Sequence, residues 1–248
     1  MKTINRYLRV HIAAVGFEVD RVVDPILQMK ADKVYIISKI SDDRARPCVD
    51  EVLELLQDKL QLGENLIECK VEIYSLVENL NILARIFEKE DGNHIYVNCS
   101  GGSKIQGIAG MMACMMFDGF PYYVEPQEYL YIDEMHGPMT SGVKNILKLP
   151  DYKIEYPPEK LIDGLKILQK HPRGISKKNF IKELEEKELL TSTGKTLNSK
   201  YMLLKTNFIT PMKNWNFINL EKLGRKFMVK ITTDGKNALK IFSDKKNL

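Results

Sequence analysis

Residues 94–117 read HIYVNCSGGSKIQGIAGMMACMMF. HIYVN (94–98) is a short run with the β-branched and aromatic residues of a buried strand. SKIQGIAGMMACMMF (103–117) spaces its apolar residues as a helix does, with Ile105, Ile108, Met112 and Met116 expected on the core face and Gly107 and Gly110 allowing close packing on a sheet. A strand that passes straight into a helix is half of a parallel crossover unit, because parallel neighbours cannot be joined by a tight hairpin.

The same alternation runs outward on both sides. Strands are expected at 6–15, 33–38, 66–73 and 121–126, and helices at 18–29, 48–60 and 76–90. Strands that are apolar almost throughout, alternating with amphipathic helices, imply a parallel sheet covered on both faces. After Glu128 the signals change: YLYID and VKNILKL flank EMHGPMTSG, which suggests an antiparallel pair or a mixed edge. LPDYKIEYPP (149–158), with three prolines, marks a boundary. Beyond it come helical patterns at 159–171, 176–189 and 194–208. They are followed by two strand-like runs around LGRK (223–226) and a last helix, TDGKNALKIF. Three helices and a basic-tipped hairpin make a winged helix-turn-helix. The reading is an α/β chain: a Rossmann-like, mainly parallel sheet over residues 1–150, then a smaller winged helix over 151–248.

Composition narrows the function. Residues 151–248 hold 21 Lys/Arg against 11 Asp/Glu, a net +10, and the preceding residues 16 against 22, a net −6. An acidic front joined to a basic back points to a polyanion as partner of the second domain. No apolar run is long enough for a membrane span, and the N-terminus reads as a first strand rather than a signal peptide, so the protein is expected in the cytosol. The four cysteines (48, 69, 99 and 114) form no CxxC pair and the four histidines stand far apart. No metal site or disulfide framework is expected. Cys99 follows a strand, where a nucleophile can sit, but a small buried thiol is the more ordinary use.

NCSGGSK (98–104) falls at the carboxyl edge of the sheet, where open α/β folds bind ligands and helix N-termini point. Ser103 suits a helix N-cap, with Gln106 at capping-box spacing. Gly101 and Gly102 lack Cβ atoms and let backbone amides approach a phosphate or ribose. Lys104 adds a cation, and Asn98 and Ser100 offer side-chain hydrogen bonds. Alone, this is also the pattern of a capped turn. It is neither a P-loop nor a dinucleotide fingerprint, so ATP hydrolysis and hydride transfer are disfavoured and no cofactor is expected. AVGFE (14–18) ends the first strand at the same edge: Gly16 permits close approach, and Phe17 stacks on a base or simply packs. SKISDDR (38–44) is a third strand-end loop, with Ser38, Lys39 and Arg44 as contacts unless it is merely solvated.

These two motifs together resemble the CARF (CRISPR-associated Rossmann fold) domain joined to a winged helix, as in archaeal CRISPR-linked transcriptional regulators. The resemblance rests on AVGFEVDRVV (14–23), on NCSGGSK, where Ser stands at both Thr positions of the family signature, and on the C-terminal pattern, and it covers essentially the whole chain. It implies a homodimer that senses a cyclic oligoadenylate, the tetra-adenylate foremost, as an allosteric ligand. Gly16, Phe17, Asn98, Ser100, Gly101, Gly102, Ser103 and Lys104 would line the pocket, with Ser38 and Lys39 beside them. Enzymatic activity is not the expectation; the alternative is slow, metal-independent ring cleavage through Lys104 and Ser103. The second helix of the helix-turn-helix, 194–208, would meet double-stranded DNA through Lys195, Thr196, Asn198, Ser199, Lys200 and Lys205, with Arg225 and Lys226 at the wing tip. A scaffold whose winged helix binds protein is the remaining alternative.

Overall fold

The computed structural model describes residues 7–41, 44–130, 137–191, 196–223 and 226–243. The chain divides into two compact units between Ile154 and Glu155, inside the proline-bearing stretch. No helix among the described residues is long and apolar enough to cross a membrane.

The N-terminal unit runs β1 (Arg9–Ala14), α1 (Asp20–Gln28), β2 (Lys33–Lys39), α2 (Arg46–Leu60), β3 (Leu66–Val71), α3 (Leu76–Lys89), β4 (His94–Asn98), α4 (Lys104–Phe117), β5 (Phe120–Tyr129) and β6 (Thr140–Lys148). The sheet order is β3-β2-β1-β4-β5-β6. The first five strands are parallel, and β6 pairs antiparallel with β5, so the antiparallel edge expected from the change after Glu128 is present. YLYID falls largely outside the described residues.

From β1 the chain steps outward through β2 and β3, then returns across β1 to lay β4 on its other side. The connections leaving β1 and β4 therefore part in opposite directions, and the crevice between their carboxyl ends is where such folds receive ligands. One side of the sheet is sealed by α1 and α2, whose Val22, Val23, Ile26, Val49, Val52 and Leu56 pack on Ala13, Val34 and Ile36.

Helix α4 packs differently from the expected apolar stripe. Its buried face is Gln106, Ala109, Gly110, Ala113 and Cys114, while Ile108 is half exposed. The cause is close approach: a Cβ at Gly107 would lie 2.9 Å from the Cys99 carbonyl oxygen, and one at Gly110 3.0 Å from Val97 Cγ1. Small residues face the strands, while Ile105, Met112 and Met116 are only half-buried and Ile108 is exposed.

The C-terminal unit contains α5 (Glu159–Gln169), β7 (Ile175–Ser176), α6 (Lys177–Glu186), α7 (Leu197–Leu204), a π-helical turn (Lys205–Ile209), α8 (Thr210–Asn214), β8 (Ile218–Leu223), β9 (Lys226–Ile231) and α9 (Thr233–Phe242). Strand order β7-β9-β8, antiparallel throughout, makes the wing. The expected third helix extends six residues past Phe208, with the wide turn placed so that Leu204, Phe208, Ile209 and Met212 all reach the core formed with Leu161, Leu165, Leu168, Phe180 and Leu184.

His11, on β1, is wholly buried. It stacks on Tyr96 with ring centroids 5.0 Å apart, and neither ring nitrogen has a hydrogen-bond partner among the described residues. Burial, assisted by the Arg9 charge, pushes its pKa from 6.5 down to about 4. The unfolded chain binds a proton near 6.5 and the folded chain only near 4, so stability is full above the higher value and falls as pH drops between them. The loss reaches about 3 kcal/mol by pH 4. Thermal unfolding from pH 7 to pH 4 should show His11→Phe losing less stability than wild type; parallel profiles would exclude the role assigned to His11.

Candidate functional site

The geometry of the crevice starts from a missing hydrogen bond. Pro25 lies inside α1 and has no N–H to donate to the carbonyl four residues earlier, that of Arg21. A buried carbonyl requires a partner, and Asn98 Nδ2 supplies it at 2.8 Å. Asn98 Oδ1 then accepts from the Ser100 amide at 3.0 Å and from the Ser100 hydroxyl. Buried and engaged at both ends of its amide, Asn98 fixes the β4–α4 loop onto α1.

Held there, the loop presses on the end of β1. A Cβ at Gly101 would sit 2.3 Å from the Ala14 carbonyl oxygen, and one at Gly102, whose φ is +69°, 2.7 Å from Ala14 Cβ. Neither position admits a side chain. Ser103 caps α4, accepting from the Gln106 amide at 3.2 Å and donating to the Ile73 carbonyl at 2.9 Å. Gln106 Oε1 accepts from the Ser103 amide at 2.9 Å, completing the expected capping box.

Where the loops cross, a cavity opens, about 790 Å³ in volume including its open mouth. Gly16, Phe17, Ser38, Lys39, Gly102 and Ser103 line it, as does Arg44. Asn98, Ser100, Gly101 and Lys104 do not. The last three border a shallower groove along α4, with Ile108, Met111 and Tyr123, and Gly102 and Ser103 touch both spaces. Several hydroxyls expected to meet ligand are already engaged, since a hydroxyl at this depth must find a partner within the protein. Besides Ser100 and Ser103, Ser38 donates to Glu68 Oε1 at 2.6 Å. Burial pushes the Cys99 thiol up to about 12, which removes it as a thiolate nucleophile at neutral pH.

The structure adds residues to which the sequence reading gave no binding role. Arg46, at the start of α2, reaches the cavity from an ion pair with Glu68 at 2.6 Å and another with Asp50. Tyr74, 69% exposed, stands at the rim; it ends the connection from β3, a strand end that obeys the same edge rule as the other three. Met139 closes the rim from the β5–β6 connection, its amide donating to the Phe17 carbonyl at 2.7 Å. Glu18 and Gln106 also line it.

With this geometry in view, comparisons place both halves of the chain. Residues 9–129 match the HFX_2341_N-like N-terminal family, and residues 161–243 match the DUF6293 C-terminal winged helix domain. The chain thus resembles the first family in its N-terminal unit and the second in its C-terminal unit. The second match agrees with the winged helix expected from the sequence. An uncharacterized protein of Methanocaldococcus jannaschii, MJ1513, is 25% identical over 186 residues; the match covers 64% of this chain and 55% of the relative, so the chain spans about half that relative's length. Among solved structures, Can2 from Sulfobacillus thermosulfidooxidans, in complex with cyclic tetra-adenylate, is 15% identical with a TM-score of 0.41, covering 94% of this chain and 63% of that one. Enterococcus italicus Csm6, bound to cyclic hexa-2′-fluoro-hexa-dAMP, is 10% identical with a TM-score of 0.42, covering 86% and 57%.

In the winged helix, Thr196 caps α7, its hydroxyl 3.0 Å from that of Ser199. Asn198, Ser199 and Lys205 are exposed. Lys200 is held by Glu185 at 2.8 Å, so it does not offer an isolated charge. Lys195 and Arg225 lie outside the described residues, and Lys226 is placed only as the first residue of β9. Leu197 and Met202 are exposed on the same helix.

Asn98→Ala should cost about 1–3 kcal/mol, the range for a buried carbonyl left without a partner. In a Pro25→Ala background, where residue 25 regains an N–H, the cost should shrink. A double-mutant cycle by chemical denaturation measures this coupling; strictly additive effects would show that Asn98 does not replace the bond lost at Pro25.

Proposed function

We propose that this chain is a ligand-responsive, DNA-binding transcriptional regulator of CRISPR-linked defence, sensing a cyclic oligoadenylate, with the tetra-adenylate foremost. The observation that carries this reading is the crossing at Gly16 and Gly101–Gly102: two loops from adjacent parallel strands touch without side chains between them and open a cavity at the sheet's switch point. The lining suits a nucleotide. Arg46, Arg44 and Lys39 give a cationic wall for phosphates, and Tyr74 and Phe17 offer aromatic surface for bases.

Exposed Ile108 of α4, beside the groove that Lys104 borders, supports assembly with a second copy, and a two-fold pair of cavities suits a cyclic ligand with two-fold symmetry. On the DNA side, the exposed Thr196, Asn198 and Ser199 at the start of α7 have the side chains that contact phosphates and base edges. Leu197 and Met202 favour a second reading, in which this helix meets a protein.

The test joins both halves. Thermal unfolding is followed with cyclic tri-, tetra- and hexa-adenylate, with ATP as control, and the nucleotide is recovered and chromatographed. Affinity for duplex DNA is then measured with and without the stabilising ring over a range of salt. One ring should raise the unfolding temperature and return intact. DNA affinity should fall steeply with salt as counterions are released, and should change when the ring is bound. Linear product would make the protein a ring nuclease, and salt-insensitive or absent DNA binding would favour the protein-binding reading.

A further inference from the structure

Glu18 lies on the floor of the cavity, its side chain 15% exposed. The backbone amides of Gly102, Phe17 and Gly16 face its carboxylate, and Arg21 Nη1 stands 3.8 Å from Oε1. These are amides of the two glycine loops, the donors that an anion would otherwise use. Oε2 has no hydrogen-bond partner among the described residues, and a Cβ added at Gly16 would lie 3.4 Å from it. Across Gly102 lies Gln106, 5% exposed. Its Oε1 is fixed by the Ser103 amide, which assigns the other end of the side chain as Nε2, and Nε2 also lacks a partner. One immobilised acceptor and one immobilised donor thus flank the same glycine beneath one cavity.

Resting on the reading of this cavity as a cyclic oligoadenylate site, the geometry points to Glu18 as its specificity-determining residue: it accepts a hydrogen bond from a neutral donor of the ligand, a ribose hydroxyl or the adenine amino group, and excludes phosphate from the glycine cradle. The phosphates go instead to the Arg46 wall, and Gln106 Nε2 donates to an acceptor beside the group that Glu18 holds. This narrows the assignment made from sequence, in which the glycine amides approach a phosphate or ribose. The physics requires the change. The cradle already holds a carboxylate, and a phosphate beside it would bring a second anion against the buried Glu18 side chain. Burial holds the Glu18 carboxyl above its usual range, against the pull of Arg21 and the amides. A neutral donor satisfies the orphaned oxygen without adding charge, as acidic side chains do for sugar hydroxyls in related sheet-edge sites.

The experiment titrates the wild-type chain and Glu18→Gln with three rings by calorimetry: cyclic tetra-adenylate, its 2′-deoxy form, and the form with inosine in place of adenosine. Glu18→Gln should bind the adenylate ring at least tenfold more weakly. On wild type, at least one analogue should lose tenfold or more, and that loss should vanish on Glu18→Gln. A deoxy effect names the hydroxyl, and an inosine effect names the amine. The inference is overturned if Glu18→Gln binds the adenylate ring as tightly or more tightly, or if both analogues bind wild type like the adenylate ring. Equal binding of all three rings by wild type overturns the inference even if the variant does not fold. If wild type binds no adenylate ring, the cavity reading fails and this inference with it.

Discussion

The hydrogen bond from Asn98 to the Arg21 carbonyl sets the rest of the candidate site. It exists because a proline sits within a nine-residue helix and leaves a carbonyl that the helix cannot serve. Asn98, the last residue of β4, reaches across and takes that role, which brings the following loop down onto β1. At that separation only glycine fits at 101 and 102, so the loop's backbone forms part of the cavity wall. The same contact orders the start of α4, because Ser103 and Gln106 can close their capping box only if the loop arrives at that height. Fold and site share one constraint.

A second constraint is charge. The unit that carries the cavity is acidic overall, and its cationic wall is largely compensated from within: Arg46 lies between Glu68 and Asp50, and Glu68 also holds Ser38. Such an arrangement positions a guanidinium without leaving it loose, which suits recognition of a phosphate by a fixed fork. The floor is the opposite case, with a carboxylate and an amide each left one bond short. A ligand that brings anionic groups to the wall and neutral hydrogen-bonding groups to the floor fits both, and a nucleotide has both.

Much of this was legible in the sequence. The strand–helix alternation, the antiparallel edge after Glu128, the capping box and the wing around LGRK all follow from local patterns whose physics is local. Other features were not, for identifiable reasons. Asn98 has the residue type of a ligand contact, and only the three-dimensional placement of Pro25 shows why it turns inward. The methionines of α4 keep helical spacing, but which face they occupy depends on glycines that let the opposite face approach the sheet. Lys104 lies in the motif, yet the helix carries it to the groove rather than the cavity. Glu18 was in plain view within AVGFE, but a carboxylate beside a glycine loop carries no signal until the amides around it are located. Tyr74 was reachable by applying the strand-end rule to β3.

Hydrogen exchange of the intact chain, with and without cyclic tetra-adenylate, tests the central claim most directly. The account predicts that added protection within the N-terminal unit is concentrated in residues 15–18, 38–41, 44–46, 73–75 and 100–106, the segments that meet around the cavity. Protection confined to other segments, or exchange unchanged at saturating ring, would contradict the assignment of this cavity as the site.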